Sequence, residues 1–311
     1  MNIVFMGTPD FAVPSLKKLI DVGYNVSAVV TQPDKPKGRG KKLLFPPVKE
    51  YALENNIEVL QPQKIKKNQE IFDKIKTLNP DFIIVVAYGK ILPEEILNIP
   101  KHGCINVHAS LLPKYRGAAP INWAIINGEK ETGITTMYME KGLDTGDILM
   151  QRAIPILYDD NAETVHDKLA QLGGEVLIET LERLKNGTLE PTKQNDNYAT
   201  YAPILEKSMG QIDWSKNADD IRNLIRGLRP WPGTYTYYNG NILKIWSAVV
   251  VGDQSDAKPG TILESGKNLV VKCGLNALKI LEIQSEGTRK MSIGEYLRGH
   301  NIKKGEMLEG I

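Results

Sequence analysis

Cysteine is scarce in this chain: Cys104 and Cys273 are the two in 311 residues. Two thiols so far apart make no disulfide framework, which points to a reducing compartment, the cytoplasm. Neither belongs to a CxxC pair, and the four histidines are scattered. A zinc cage needs such ligands grouped, so no metal is expected. No apolar run is long enough to span a bilayer, so no membrane association is expected. Residues 1–7 lack a basic leader and read as a strand rather than a signal peptide. A net charge of +2 identifies no partner by itself, so charge carries information here only where it clusters. The dinucleotide fingerprint G-x-G-x-x-G is missing after the first strand, where Gly7-Thr8-Pro9-Asp10 stands instead. Pro9 removes a backbone donor that a pyrophosphate would use, so a turn leading into a helix is the better reading.

The first half of the chain alternates strand and helix. Strands are expected at 2–6, 25–31, 57–60 and 81–87, with helical patterns between them. Residues 82–87 are almost continuously apolar (FIIVVA), as in a strand covered on both faces. Further strands are expected at 133–139 and 148–156, and a long amphipathic helix at 162–185, stopped by Asn186-Gly187. The pattern is that of a doubly wound, mostly parallel α/β sheet. Residues 189–203 are polar and contain proline, and they read as a linker. Beyond one helix at 218–228, only short strands follow, with Asn239-Gly240 as a hairpin turn. A small β-barrel of the OB type is expected there. The expected organisation is a catalytic domain at 1–188, a linker at 189–205 and a smaller barrel domain at 206–311.

Asn106 and His108 sit two apart where an apolar run gives way to a Pro/Gly-punctuated loop. Residues i and i+2 of an extended segment share a side, so an amide donor and an imidazole face one space. Ligands of open α/β sheets bind beyond the carboxyl ends of strands, where His108 falls. Asp144 lies in a glycine-flanked loop, Gly142-Leu143-Asp144-Thr145-Gly146, that could close over the pair. The triplet suits acyl-type transfer: one group stabilises a developing oxyanion, one moves protons, one orients and balances charge.

Two other clusters stand out. Lys35, Lys37, Arg39, Lys41 and Lys42 crowd the stretch 32–44 against Asp34 alone. A solvated surface loop is the ordinary reading of a charge run. A basic loop leaving the same rim as the candidate site also fits a phosphate backbone. Arg222, Arg226 and Arg229 line one helix face beside Trp231, Tyr235, Tyr237 and Tyr238. A solvated face and a polyanion-binding face fit them equally.

Taken in order, these motifs resemble the 10-formyltetrahydrofolate-dependent formyltransferases. The resemblance rests on MGTPDFA at 6–12, TQPDKPKGRGKK at 31–42, Asn106-x-His108, SLLPKYRGAAP at 110–120, DTGD at 144–147 and WPGT at 231–234. It spans nearly the whole chain and is closest to the branch whose acceptor is initiator methionyl-tRNA. It implies a Rossmann-like formyltransferase domain followed by an OB-like barrel, with Asn106, His108 and Asp144 catalytic. It also implies a 10-formyltetrahydrofolate co-substrate, its pterin near Tyr88, Gly89, Ile91, Leu92 and the loop 140–144, with Ser110, Leu111, Leu112 and Pro113 lining the folate. The basic stretch and the barrel would hold the tRNA, Arg39 reaching its acceptor end, with the protein a monomer. A small acceptor such as glycinamide ribonucleotide or a sugar nucleotide would use the same triplet; the basic stretch and the second domain argue against it. A nucleic-acid-binding protein with a relic α/β half would not need the triplet intact.

Overall fold

A computed structural model describes residues 1–37 and 42–310. The chain forms two units: Met1–Pro120, Thr132–Ile154 and His166–Ala202 make the first, and Ile121–Glu131, Pro155–Val165 and Pro203–Ile311 the second.

The first unit is built on a seven-stranded sheet. Its strands are β1 (Asn2–Gly7), β2 (Asn25–Val30), β3 (Val59–Leu60), β4 (Phe82–Val86), β5 (Cys104–His108), β6 (Glu131–Tyr138) and β7 (Ile148–Pro155). Their order is β7-β6-β5-β4-β1-β2-β3. The run from β3 to β5 is parallel, and β6 is antiparallel to β5. Every residue of β4 is buried, as its unbroken apolar run requires. Helices α1 (Val13–Asp21), α2 (Pro47–Glu54) and α3 (Gln69–Thr77) connect the early strands. At the start of α3 the Asn68 side chain accepts from Ile71 N–H, which caps an otherwise unpaired donor.

The long helix α4 (Ala162–Lys185) carries Gly173 and Gly174 in its middle. Glycine there costs about 1 kcal/mol against alanine. A Cβ at 173 would stand 3.2 Å from Val107 Cγ1, and one at 174 would stand 3.0 Å from the Pro14 carbonyl. The glycines let α4 close on the sheet behind β5. Val107 projects to the side opposite Asn106 and His108, so this packing leaves those two facing the other way.

The basic stretch departs from the expected irregular loop. Lys35–Lys37 and Lys42–Leu44 pair as an antiparallel hairpin, Lys35 against Leu44 and Lys37 against Lys42. Pro36 fits because a two-stranded ribbon has free outer edges. Arg39 and Lys41 lie outside the described residues. The polar stretch from 189 is also paired with the first unit. Thr192 bridges Ile148, and Tyr201–Ala202 runs parallel to Arg116–Gly117.

The second unit is an antiparallel sheet of β8 (Thr234–Tyr238), β9 (Asn241–Val251), β10 (Ile262–Glu264), β11 (Leu269–Lys272) and β12 (Ala277–Ser285), in the order β8-β9-β12-β11-β10. Asn239 and Gly240 both take positive φ, +49° and +75°, as the tight β8–β9 turn demands. Helix α5 (Ala218–Gly227) packs Ile221 and Ile225 into the core with Leu243 and Ile245.

The two edge strands are joined by the tail. Ile262 N–H donates to Glu306 O and Leu308 N–H to Gly260 O, both at 2.8 Å, while Tyr237 and Glu309 exchange two bonds of 3.0 and 2.8 Å. The tail thus closes the sheet into a barrel and removes its open edges. Leu308, 1% exposed, is its anchor. Leu308→Ala is expected to destabilise the protein by about 2–5 kcal/mol in a denaturant titration, the usual range for emptying a buried leucine site.

Arg222 and Arg226 on α5, and Arg229 just beyond it, settle into neither expected role. Arg222 is 8% exposed, donates to the Tyr158 carbonyl and lies 3.5 Å from the Tyr158 ring centroid. Arg226 donates to the Leu157 and Asp160 carbonyls, and Arg229 pairs with Glu163 and Glu282. They anchor the 157–163 segment rather than present an open cationic face.

Candidate active site

β5 carries Asn106 and His108 to the carboxyl rim of the sheet, beside the rim ends of β4 and β1. This is where strand order reverses, because β1 has β2 on one flank and β4 on the other. His108 is 6% exposed and Asn106 half-buried. The Asp144 loop closes on them. Asp144 Oδ2 lies 3.7 Å from His108 Nδ1, and Oδ1 lies 3.5 Å from Asn106 Nδ2. Gly117 N–H donates to Oδ2 at 2.8 Å. Gly117 has φ +120°, and a Cβ there would sit 2.8 Å from the Ala202 carbonyl, so only glycine brings that N–H to the carboxylate without strain.

A hydrogen bond orients the His108 ring. Nε2 is 3.0 Å from the Tyr115 carbonyl oxygen. A carbonyl only accepts, so Nε2 carries a hydrogen in both charge states. Nδ1 is the nitrogen that faces Asp144. Strain gathers around this point. Tyr115 and Asp144 are non-glycine residues at positive φ, +62° and +53°, and Ala87 at the end of β4 joins them at +47°. Such backbone persists where neighbours over-determine it, which is common at reaction centres.

Those neighbours are polar and mostly buried. Gln194 Nε2 donates to the carbonyls of Asp144 and Gly146 at 2.8 and 2.7 Å. Its Oε1 accepts from Arg116 Nε and Nη2 at 3.1 and 2.8 Å, and Nη2 also meets Asp196 at 2.8 Å. Thr135 Oγ1 donates to Ser110 O and accepts from Leu112 N–H, while Gln151 donates to Leu112 O. The 110–117 loop is thus held from beneath. Cys104, at the start of β5, is buried, and burial pushes its thiol up to about 12.

The residues expected to meet the folate are placed as follows. Ser110 is fully buried with its hydroxyl donated to Lys114 O, and Leu112 is 3% exposed. Leu111 and Pro113 are half-buried. Tyr88 is 1% exposed and faces the core, where burial pushes its phenol up to about 12. Tyr88 offers the rim its carbonyl, which accepts from Thr8 Oγ1 at 3.2 Å and Gln32 Nε2 at 3.0 Å. Leu92 is buried, whereas Gly89 and Ile91 are exposed.

The basic hairpin is fastened to the same rim. Asp34 at its base accepts from Gln61 and from Lys49, each at 2.7 Å, and these bonds hold its carboxyl below the ordinary value. Gln61 also donates to Gln32 O at 3.0 Å. Lys35 is exposed. Lys37 and Lys42 lie in the paired strands. Among the described residues no cluster of His, Cys, Asp and Glu could hold a metal, and no helix is long and apolar enough to cross a membrane.

Sequence reasoning misses Gln194, Thr135, Gln151 and Gln61. Each is an isolated polar residue with no motif around it, and each acquires a role only from a partner far away in the chain.

Residues 1–181 match the Formyl transferase family, and residues 204–301 match the Formyl transferase, C-terminal domain family. The chain is 66% identical over 309 residues to the methionyl-tRNA formyltransferase of Caldanaerobacter subterraneus subsp. tengcongensis, covering 99% of this chain and 100% of the relative. It is 56% identical to that of Acetivibrio thermocellus, over 99% of both chains. Among solved structures, a sugar 3N-formyl transferase crystallised with dTDP and 5-N-formyl-THF superposes with a TM-score of 0.68 at 20% identity, covering 93% of this chain and 99% of that one. That likeness bears on fold alone.

Proposed function

The chain belongs to the formyl transferase family, and on that premise we propose that Asn106, His108 and Asp144 perform its reaction. The reaction moves the formyl group of 10-formyltetrahydrofolate to the α-amine of initiator methionyl-tRNA. The observation that supports these roles is the convergence of an amide, an imidazole nitrogen and a carboxylate at the carboxyl rim of the sheet.

The methionyl amine attacks in its neutral form, which its pKa near neutrality makes readily available. A bond forms between amine nitrogen and formyl carbon, and the carbonyl oxygen takes on negative charge. The amide N–H of Asn106 donates to that oxygen, a contact typically contributing about 10²–10³ in rate. Protonated His108 donates from Nδ1. Asp144 balances the imidazolium and receives the amine's proton through water. Its own charge would repel the oxyanion, so the fixed pairing of Oδ2 with Gly117 N–H and His108 matters. When the bond to N10 breaks, the proton that N10 needs comes from this Asp144–His108 pair.

The acceptor side rests on the hairpin and the second unit. Lys35, Lys37, Arg39, Lys41 and Lys42 contact the tRNA backbone near the acceptor end. Residues 1–188 make up the catalytic domain, 189–205 connect it, and 206–311 form the tRNA-binding barrel. Tyr88, Gly89, Ile91, Leu92 and Ser110–Leu111–Leu112–Pro113 form the folate wall, several through backbone rather than side chain. The protein works as a monomer in the cytoplasm, away from membranes, a setting that suits two buried reduced thiols.

The test is formyl transfer from 10-formyltetrahydrofolate to initiator methionyl-tRNA, compared with elongator methionyl-tRNA and with a sugar-nucleotide amine. Only the first is expected to be formylated efficiently; preference for the small amine would overturn the reading. Within the same assay, Arg39→Ala is expected to raise KM for tRNA about tenfold, equivalent to losing about 1.4 kcal/mol of contact, with folate affinity intact. Binding of tRNA should weaken steeply with salt as phosphate contacts are screened.

A further inference from the structure

We propose that Gln194, held by Arg116, is the positioning residue for Asp144. The inference rests on the roles given to the triplet above. Asp144 sits at φ +53°, a conformation that aspartate tolerates but does not prefer. Two carbonyls flank the bend, those of Asp144 and Gly146, and both accept from the one Gln194 amide at 2.8 and 2.7 Å. A primary amide has two N–H hydrogens, so this use is complete. Its oxygen is equally committed to the Arg116 fork, at 3.1 and 2.8 Å. Gln194 therefore has no rotational freedom left, and the bend it grips is the one that aims the carboxylate.

The grip is buried as well as satisfied. Gln194 is 8% exposed and Arg116 is 3% exposed. Arg116 Nη2 ends on Asp196, which is largely exposed. A buried guanidinium is retained where it is bonded, and here its neighbour in sequence, Gly117, donates to the Asp144 carboxylate itself. The loop after β5 thus holds Asp144 twice: by Gly117 on the side-chain oxygen, and by Arg116 through Gln194 on the backbone. Both anchors fix the distance from Asp144 to His108 and Asn106 without touching substrate.

Gln194→Glu tests this with little change of volume. It keeps the pairing with Arg116 and replaces the amide donor by an oxygen that repels both carbonyls. The expected result is a fall in kcat of about 10²-fold, the scale of an ångström-level misplacement. KM for folate and for methionyl-tRNA should stay near parent values, while the melting temperature falls by a few degrees because two carbonyls lose their donor. In an Asp144→Asn background the same change should cost little more, because it acts through Asp144. A parent-like kcat in Gln194→Glu, or a full additional loss in the double variant, overturns the proposal. If Gln194→Glu does not fold, Asp196→Lys on the surface, which replaces the acceptor of Arg116 Nη2 by a like charge, substitutes for it. Loosening Arg116 from outside should lower kcat several-fold with both KM values unchanged, and an unaltered kcat overturns the proposal. Asp144→Asn alone separates the two readings: parent-like turnover there removes the triplet, whereas loss there with a parent-like Gln194→Glu removes only the positioning role.

Discussion

Asp144→Asn is expected to lower turnover by about 10³-fold, the upper part of the range for removing one electrostatic partner of a developing charge. Folate binding, followed by titration, should stay close to that of the parent. The geometry says why so small a change costs so much. Gly117 N–H must still find an acceptor, so the asparagine oxygen takes the Oδ2 position. The amide nitrogen then occupies the Oδ1 position, 3.5 Å from Asn106 Nδ2, and two donors face each other. Asn106 is pushed from the place where it would meet the oxyanion. At the same time no negative charge remains beside His108 Nδ1, so the imidazolium is unbalanced and the amine's proton has no basic destination. Near-parent turnover would remove Asp144 from the reaction.

His108→Gln is expected to lower turnover by about 10²–10⁴-fold, the usual contribution of a positioned acid or base. Glutamine is chosen because its amide can still donate to the Tyr115 carbonyl, as Nε2 does at 3.0 Å. Alanine would remove the Nε2 donor from that carbonyl at a cost of about 1–3 kcal/mol and confuse folding with chemistry. With the donor kept, a parent-like melting curve and collapsed turnover would assign the loss to Nδ1. The double variant His108→Gln, Asp144→Asn should be scarcely slower than the worse single one, since groups acting as a unit lose their effect together. Additive losses would mean that the two act independently.

Much of this could be read before any coordinates. The run Phe82–Val86 is apolar throughout because both its faces are covered, and that alone indicates a parallel sheet with helices on each side. Asn106 and His108 face one space because extended backbone repeats every two residues, a rule that needs no tertiary information. The Asn239-Gly240 turn follows from backbone sterics alone.

Other features had no local signature. The stretch 32–44 has prolines, glycines and charge that read as irregular, yet Lys35–Lys37 pair with Lys42–Leu44 as antiparallel strands. Thr192, Gln194 and Tyr201 look like linker because polar side chains announce no core; their partners are Ile148, Asp144 and Arg116, 44 to 85 residues away. The tail 305–309 is too short to announce any pairing, yet it bridges Tyr237 on one side and Thr261 on the other.

By itself, then, the sequence determined most of the elements, the α/β order and which polar groups gather at the rim, because those follow from local periodicity and from residue chemistry. Tertiary structure alone decided which histidine nitrogen faces Asp144 and how the Asp144 bend is held. It also decided how the barrel closes and what the α5 arginines bind. Each of these depends on a hydrogen bond between residues remote in the chain, and no rule of local spacing encodes such a partner.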